Sequence, residues 1–113
     1  MMIYKLDKIN EMADGDTDFV HAIITIFLKE IPQDLINLED AVETSNFEQI
    51  GKIAHKIKPN VDLFGMTQTL SNAQDLEKLG KGRGDLSEIR NKFSSFRKDL
   101  EQAIVELRSD FNL

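Results

Sequence analysis

The sequence predicts an all-α fold, an antiparallel up-and-down four-helix bundle with a short N-terminal helix packed on one end. Apolar residues recur at helical spacing, and no segment shows the alternating pattern of a strand. The stripe of the first long helix is formed by Val20, Ile23, Ile24, Phe27 and Ile31. The predicted loops are short, which favours antiparallel neighbours. At 113 residues the chain can bury one core, so we expect a single domain over residues 1–113.

The first two elements are separated by a glycine. A short segment from Leu6 to Met12 comes first, and Gly15 breaks the chain after it. The first long helix is predicted from about Asp16 to Glu30, with Asp16 or Thr17 as a natural N-cap. Pro32 is then expected to restart or kink the helix, because proline cannot donate a backbone hydrogen bond, and the stripe continues to about Thr44.

The next helix is predicted from about Phe47 to Phe64. Ser45 is followed three residues later by Glu48, in the manner of a capping box. Gly65 is predicted to end the helix as a C′ glycine, the position that favours a left-handed backbone.

Two further helices complete the bundle. One is predicted from about Thr67 to Leu79, and the glycine-rich run Gly80 to Gly84 is predicted to close it as a flexible turn. Asp85 or Ser87 caps the last helix. The inward stripe of the last helix consists of Ile89, Phe93, Phe96, Leu100, Ile104 and Leu107.

Composition excludes several classes of function. There is no cysteine, so disulfide frameworks, cysteine-based zinc clusters and thiol nucleophiles are excluded. No apolar run approaches the ~18 residues of a membrane span, and the N-terminus lacks the apolar stretch of a signal peptide, so we expect a cytoplasmic protein. The formal net charge of −6 argues against nucleic acid as a partner. We expect a monomer.

The segment with the clearest chemistry is K-I-A-H-K-I-K at residues 52–58. His55 lies two residues after Ile53 and two before Ile57, which turns it away from the apolar stripe and towards solvent. Imidazole, with an ordinary pKa of ~6.5, is largely neutral at cytoplasmic pH and can attack phosphorus. A solvent-facing imidazole flanked by lysines suits a histidine that holds a phosphoryl group.

The lysines around His55 differ in their expected roles. Lys58 at i+3 shares the helical face of His55 and can stabilise phosphoryl oxygens, and Lys52 at i−3 flanks the other side. Lys56 at i+1 points about 100° away and is interpreted as part of a solvated face. Gly51 removes side-chain bulk at i−4, which would let a partner approach closely.

These residues resemble the histidine-containing phosphotransfer (HPt) domains of two-component phosphorelays. The resemblance covers nearly the whole chain and rests on A-H-K-I-K at residues 54–58, Gly65 ten positions after the histidine, and Leu76–Glu77 on the next helix. It implies a phosphorelay intermediate that accepts a phosphoryl group on His55 from a receiver-domain aspartate and passes it to another response regulator. The implied partners are response regulator receiver domains, with a hybrid sensor histidine kinase as a further candidate.

The resemblance also implies roles around the histidine. Glu77 is the candidate to orient the ring of His55, because some HPt domains have an acidic residue at this spacing. The implied docking surface includes Gly51, Lys52, Pro59 and Asp62, and Pro59 departs from the glycine usual in the family. The resemblance also implies that the chain is a phosphoryl carrier without kinase activity and binds no cofactor itself. Mg²⁺ is expected on the partner receiver domain.

One alternative from a different class remains open. The chain could be a helical docking module whose basic patch binds an acidic partner without phosphoryl chemistry. A di-metal bundle is disfavoured, because two histidines and no Glu-x-x-His motif leave it short of ligands.

Overall fold

The computed structural model describes residues 3–113, which form five α-helices and contain no strand. The helices are α1 Asp7–Ala13, α2 Thr17–Glu43, α3 Phe47–Leu63, α4 Thr67–Lys81 and α5 Leu86–Phe111. Helices α3 and α5 each pack on both α2 and α4, and α1 packs on α2. All five contribute side chains to one hydrophobic core. The all-α prediction is therefore confirmed.

The core side of α3 determines where His55 points. Four apolar residues at spacings of four, three and four are fully buried: Ile50, Ala54, Ile57 and Val61. This spacing places all four on one face of the helix. His55 lies next to Ala54 in sequence and is exposed, so burial of the stripe turns the imidazole outwards.

The N-terminus of α3 is capped by a different residue from the one predicted. The Asn46 side chain accepts a hydrogen bond from the backbone N–H of Gln49 at 3.2 Å, so the predicted capping box of Ser45 and Glu48 is wrong. Ser45 has a φ of 53° because it occupies the left-handed position that ends α2. Ser45 therefore belongs to the turn between the two helices, and Asn46 occupies the N-cap position of α3.

The C-terminus of α3 ends as predicted, at Gly65. The Gly65 N–H donates to the carbonyl of Asp62 at 3.0 Å and the Met66 N–H to that of Val61 at 3.2 Å, the two bonds of a Schellman motif. Gly65 has a φ of +63°, and a Cβ there would lie 2.8 Å from the Cβ of Lys5. Glycine is therefore required both by the backbone and by the N-terminal segment packed against it.

Both prolines lie inside continuous helices. Helix α2 passes through Pro32 without a break, so of the predicted restart or kink the restart is wrong. Ile31 and Leu35 on either side of the proline are buried in the core, and this packing holds the two halves in one helix. Helix α3 likewise continues through Pro59.

Helix α4 extends two residues beyond its predicted end and includes Gly80. The interpretation of Gly80 as part of a flexible turn is wrong, because this glycine is buried inside α4, in close contact with α3. A Cβ on Gly80 would lie 2.5 Å from the backbone nitrogen of Gly51 and 2.9 Å from its Cα. The absence of a side chain at Gly80 therefore lets the backbone of α4 touch that of α3 at Gly51.

Candidate functional site

The candidate site is centred on His55, near the middle of α3. Its side chain is 67% exposed, and its Nδ1 lies 2.7 Å from Oε2 of Glu77 on α4. The close packing of α3 on α4 at Gly51 and Gly80, one turn away on each helix, brings these two side chains together. The ring is thus open to solvent, and its Nδ1 side is held by the carboxylate of Glu77.

Glu77 is a mostly buried carboxylate with three partners. Its side chain is 10% exposed, and it contacts Lys58 Nζ through Oε1 at 2.6 Å and Lys81 Nζ through Oε2 at 3.0 Å. Oε2 also contacts His55. The hydrogen bonds from Lys58, then Lys81 and then His55 lower the pKa of Glu77 to about 2, against the opposing effect of burial. The carboxylate is therefore ionised at neutral pH.

An ionised carboxylate decides which nitrogen of His55 is free. A carboxylate can only accept hydrogen bonds, so the ring nitrogen that contacts it must carry a proton and donate. Nδ1 of His55 therefore donates to Glu77. In the neutral imidazole the other nitrogen, Nε2, then has the lone pair. This is the tautomer in which the exposed ring can attack an electrophile through Nε2.

The two lysines on Glu77 differ in exposure. The Lys58 side chain, from α3, is 27% exposed, whereas that of Lys81, from α4, is 69% exposed. Lys58 therefore lies partly under the surface, and Lys81 reaches Glu77 from outside as an i,i+4 pair along α4.

An open groove of about 470 Å³ lies beside His55, between the N-terminal half of α3 and the C-terminal end of α4. It is lined by Phe47, Glu48, Gly51, Lys52, His55, Gly80, Lys81 and Arg83. The Arg83 guanidinium lies 5.9 Å from the ring centroid of Phe47. Three of the lining residues are basic and one is acidic, so the groove is locally positive on an acidic protein.

The predicted docking residues lie on both sides of His55 along α3. Gly51 and Lys52 line the groove, although Gly51 is buried against α4 and is not an open surface. Pro59 is exposed one turn beyond His55 on the same helix. Asp62 lies a further turn along, at the end of α3, where it forms a 2.8 Å ion pair with Lys8 of α1.

The sequence position of Lys56 predicted a residue on a solvated face, but the structure pairs it with a buried carboxylate. Its Nζ lies 2.7 Å from Oδ1 of Asp34, a buried residue of α2. The hydrogen bond to Asp34 raises the pKa of Lys56. Lys56 therefore links α3 to α2.

Sequence reasoning missed most of the groove. The pairing of Glu77 with His55 was expected from the family resemblance. Lys81 follows Glu77 by four residues, a signal for a helical ion pair, but the sequence did not connect this lysine with His55. Phe47 and Arg83 come from different loops and helices, and only the fold brings them beside His55.

The family model described as the Hpt domain matches residues 22–110 of the chain. The matched region contains His55, Glu77 and both lysines that contact Glu77. Comparison with curated proteins found no match, and neither did comparison with solved structures.

Proposed function

Because the chain belongs to the Hpt domain family, whose members carry phosphoryl groups in two-component phosphorelays and are not kinases, we propose that it is a phosphorelay intermediate with His55 as its phosphoacceptor. The observation that carries this assignment is the 2.7 Å contact from Nδ1 of His55 to Glu77 beneath an exposed ring. The contact selects the tautomer with a nucleophilic Nε2.

The proposed transfer is a single exchange of bonds at phosphorus. The Nε2 lone pair attacks the phosphoryl group of a receiver aspartyl phosphate, the N–P bond forms as the P–O bond breaks, and the aspartate leaves as a carboxylate. The ring keeps its Nδ1 proton and becomes positively charged. Glu77, which is already ionised, stabilises that charge through the hydrogen bond it accepts. Donation to a second receiver reverses these steps.

Lys58 is proposed to stabilise the phosphoryl group from its position on Glu77. Its ammonium group contacts Oε1, while His55 contacts Oε2 of the same carboxylate. A partly buried cation beside the ring offsets phosphoryl charge more effectively than a fully solvated one, because water screens it less.

The proposed partners are receiver domains of response regulators, with a hybrid sensor histidine kinase as a further source of phosphoryl groups. The chain would act as a monomer with four long helices running up and down, and the receiver would supply Mg²⁺ and the reacting aspartate. The locally positive groove with Gly51 and Lys52 is the proposed docking surface, continued by Pro59 and, at its far end, Asp62. No helix among residues 3–113 combines the length and apolar character needed to cross a membrane.

The test is phosphoryl transfer to the wild-type protein and to His55→Gln. A panel of receiver domains charged with acetyl phosphate, and phosphoramidate as a direct donor, should each be offered to both proteins. We expect an acid-labile, base-stable label on the wild type and none on His55→Gln, with the unfolding temperature nearly unchanged because the ring is exposed.

Two results would contradict the proposal. Label retained by His55→Gln would move the phosphoacceptor elsewhere. An unlabelled wild type that still binds receivers would instead support a helical docking module without phosphoryl chemistry.

A further inference from the structure

We propose that Lys81 is the residue that binds the phosphoryl group on His55, by leaving Glu77 when the group arrives, while Lys58 stays on the carboxylate. This inference rests on the proposed function. It assigns the direct contact to a lysine of α4, on the helix opposite the histidine, and gives the lysine of the A-H-x-x-K motif an indirect role.

The first argument is position. Lys81 Nζ and His55 Nδ1 approach the same carboxylate oxygen, Oε2 of Glu77, at 3.0 and 2.7 Å. Lys81 and His55 also line the same groove, whereas Lys58 is not among the groove residues. A lysine has a flexible four-carbon stem, so rotation about that stem can move the ammonium group from Oε2 towards a group on Nε2 without moving the helix.

The second argument is the cost of releasing each lysine. The Lys81 side chain is 69% exposed, so water can replace its carboxylate partner at little cost, and the mostly buried Glu77 keeps its contacts with Lys58 and His55. The Lys58 side chain is only 27% exposed, and its contact with Glu77, at 2.6 Å, is the shorter one. Removing Lys58 from the carboxylate would leave a partly buried ammonium group without a partner, which is costly. Lys81 is therefore the cation that can be released.

The third argument is the balance of charge before and after transfer. Before transfer, the single negative charge of Glu77 faces two lysine ammonium groups and a neutral ring. When the N–P bond forms and the aspartate leaves, the ring becomes positive and stays bonded to Glu77. The carboxylate then has Lys58 and a cationic ring, so Lys81 is in excess there. The new phosphoryl group, which carries up to two negative charges, needs a cation at the same moment.

The experiment compares Lys81→Gln with Lys81→Arg, Lys58→Gln and the matched control Lys78→Gln. Lys78 is an exposed lysine of the same helix, and its position one residue after Glu77 turns it about 100° away. Each protein is labelled with phosphoramidate, whose P–N bond breaks to release ammonia as the His55 N–P bond forms. The readouts are the labelling rate, the pKa of the bound phosphoryl group by phosphorus NMR, and the unfolding temperature.

We expect Lys81→Gln to slow labelling roughly tenfold or more and to raise the phosphoryl pKa, because a charge-assisted contact to the dianion is lost. Its unfolding temperature should stay near that of the wild type. Lys81→Arg should restore most of the rate, and Lys78→Gln should behave as the wild type. Lys58→Gln should lower the unfolding temperature but shift the phosphoryl pKa less than Lys81→Gln does.

Failure of this inference is distinct from failure of the proposed function. If the wild type is labelled but Lys81→Gln matches Lys78→Gln in rate and phosphoryl pKa, the exchange does not occur and the inference is overturned. A larger shift of the phosphoryl pKa in Lys58→Gln than in Lys81→Gln would also overturn the inference, because it would assign the direct phosphoryl contact to Lys58 on α3. A wild-type protein that takes no label from any donor would remove the proposed function itself.

Discussion

Replacing Gly80 with alanine should disturb both the fold and the site, because a single methyl group there meets backbone. A Cβ would lie 2.5 Å from the nitrogen of Gly51 and 2.9 Å from both its Cα and the carbonyl oxygen of Phe47. None of these atoms can rotate away, so α3 and α4 must separate. Overpacking costs roughly 1–3 kcal/mol, and a contact of 2.5 Å with backbone belongs in the upper half of that range, whereas the better helix propensity of alanine returns about 1 kcal/mol. We expect a net loss of about 1–2 kcal/mol, or about 5–10 °C in unfolding temperature.

Gly51→Ala is the matched control, because it adds the same methyl group to the opposite side of the same contact. Its Cβ would meet Lys81 Cγ at 3.4 Å and backbone atoms at 3.5 and 3.6 Å, which are ordinary or slightly tight distances. The variant should be as stable as the wild type, or more stable by up to about 1 kcal/mol, because alanine favours the helix.

The assay is thermal unfolding by circular dichroism, with phosphoramidate labelling measured at a temperature where every variant is folded. Gly80 lies three residues after Glu77, so separation of the helices should draw the carboxylate away from His55. Displacement of a positioning group by 1 Å can cost about a hundredfold in rate, and we expect at least a tenfold loss. The reasoning is refuted if Gly80→Ala unfolds and reacts like the wild type, or if Gly51→Ala is the more damaging change.

Two further predictions concern the charged groups. The folded-state pKa of Glu77 is lowered from 4.5 to about 2, so its ionised form stabilises the protein above pH 4.5 and this contribution is lost as the pH falls towards 2. The free energy of unfolding, measured in urea, should therefore be higher for the wild type than for Glu77→Gln by a larger margin at pH 6 than at pH 3. An equal margin at both pH values would contradict the lowered pKa of Glu77. Lys56→Ala should lower the free energy of unfolding by about 1–3 kcal/mol, because it leaves buried Asp34 without its cation. Lys52→Ala, whose Glu48 partner is exposed, should leave the free energy of unfolding nearly unchanged. Equal losses in the two variants would contradict the idea that burial of Asp34 makes the Lys56 pair more stabilising.

The elements of this fold were predictable because their signals are local. The apolar stripes, Gly65 and the N-cap Asp16 each depend on residues within one or two turns, and the structure places them as the sequence indicates. The errors at Ser45 and Pro32 have the same origin. A cap depends on the conformation of its own turn, and the continuity of a helix through proline depends on the packing of its flanks, neither of which the local pattern contains.

The parts of the site that were not predictable depend on contacts between helices. The sequence motif singled out His55, but the meeting of Glu77 with Lys58 and Lys81 requires the register of α3 against α4. In that register Gly80 lies against the backbone of Gly51, and glycine in a helix carries no signal of which helix it will touch. The bond from Lys56 to Asp34 likewise depends on how α2 faces α3.

The positive groove explains how an acidic protein could attract an acidic partner. The formal net charge of −6 is spread over the whole surface, whereas Lys52, Lys81 and Arg83 line one groove beside His55. At physiological ionic strength the Debye length is about 8 Å, so charges on the far side of the bundle are largely screened from a partner docking there. The partner then encounters the local cations, and the overall negative charge acts mainly at long range and low salt. In the proposed function, these local cations, rather than the overall charge, would direct a receiver to the groove beside His55.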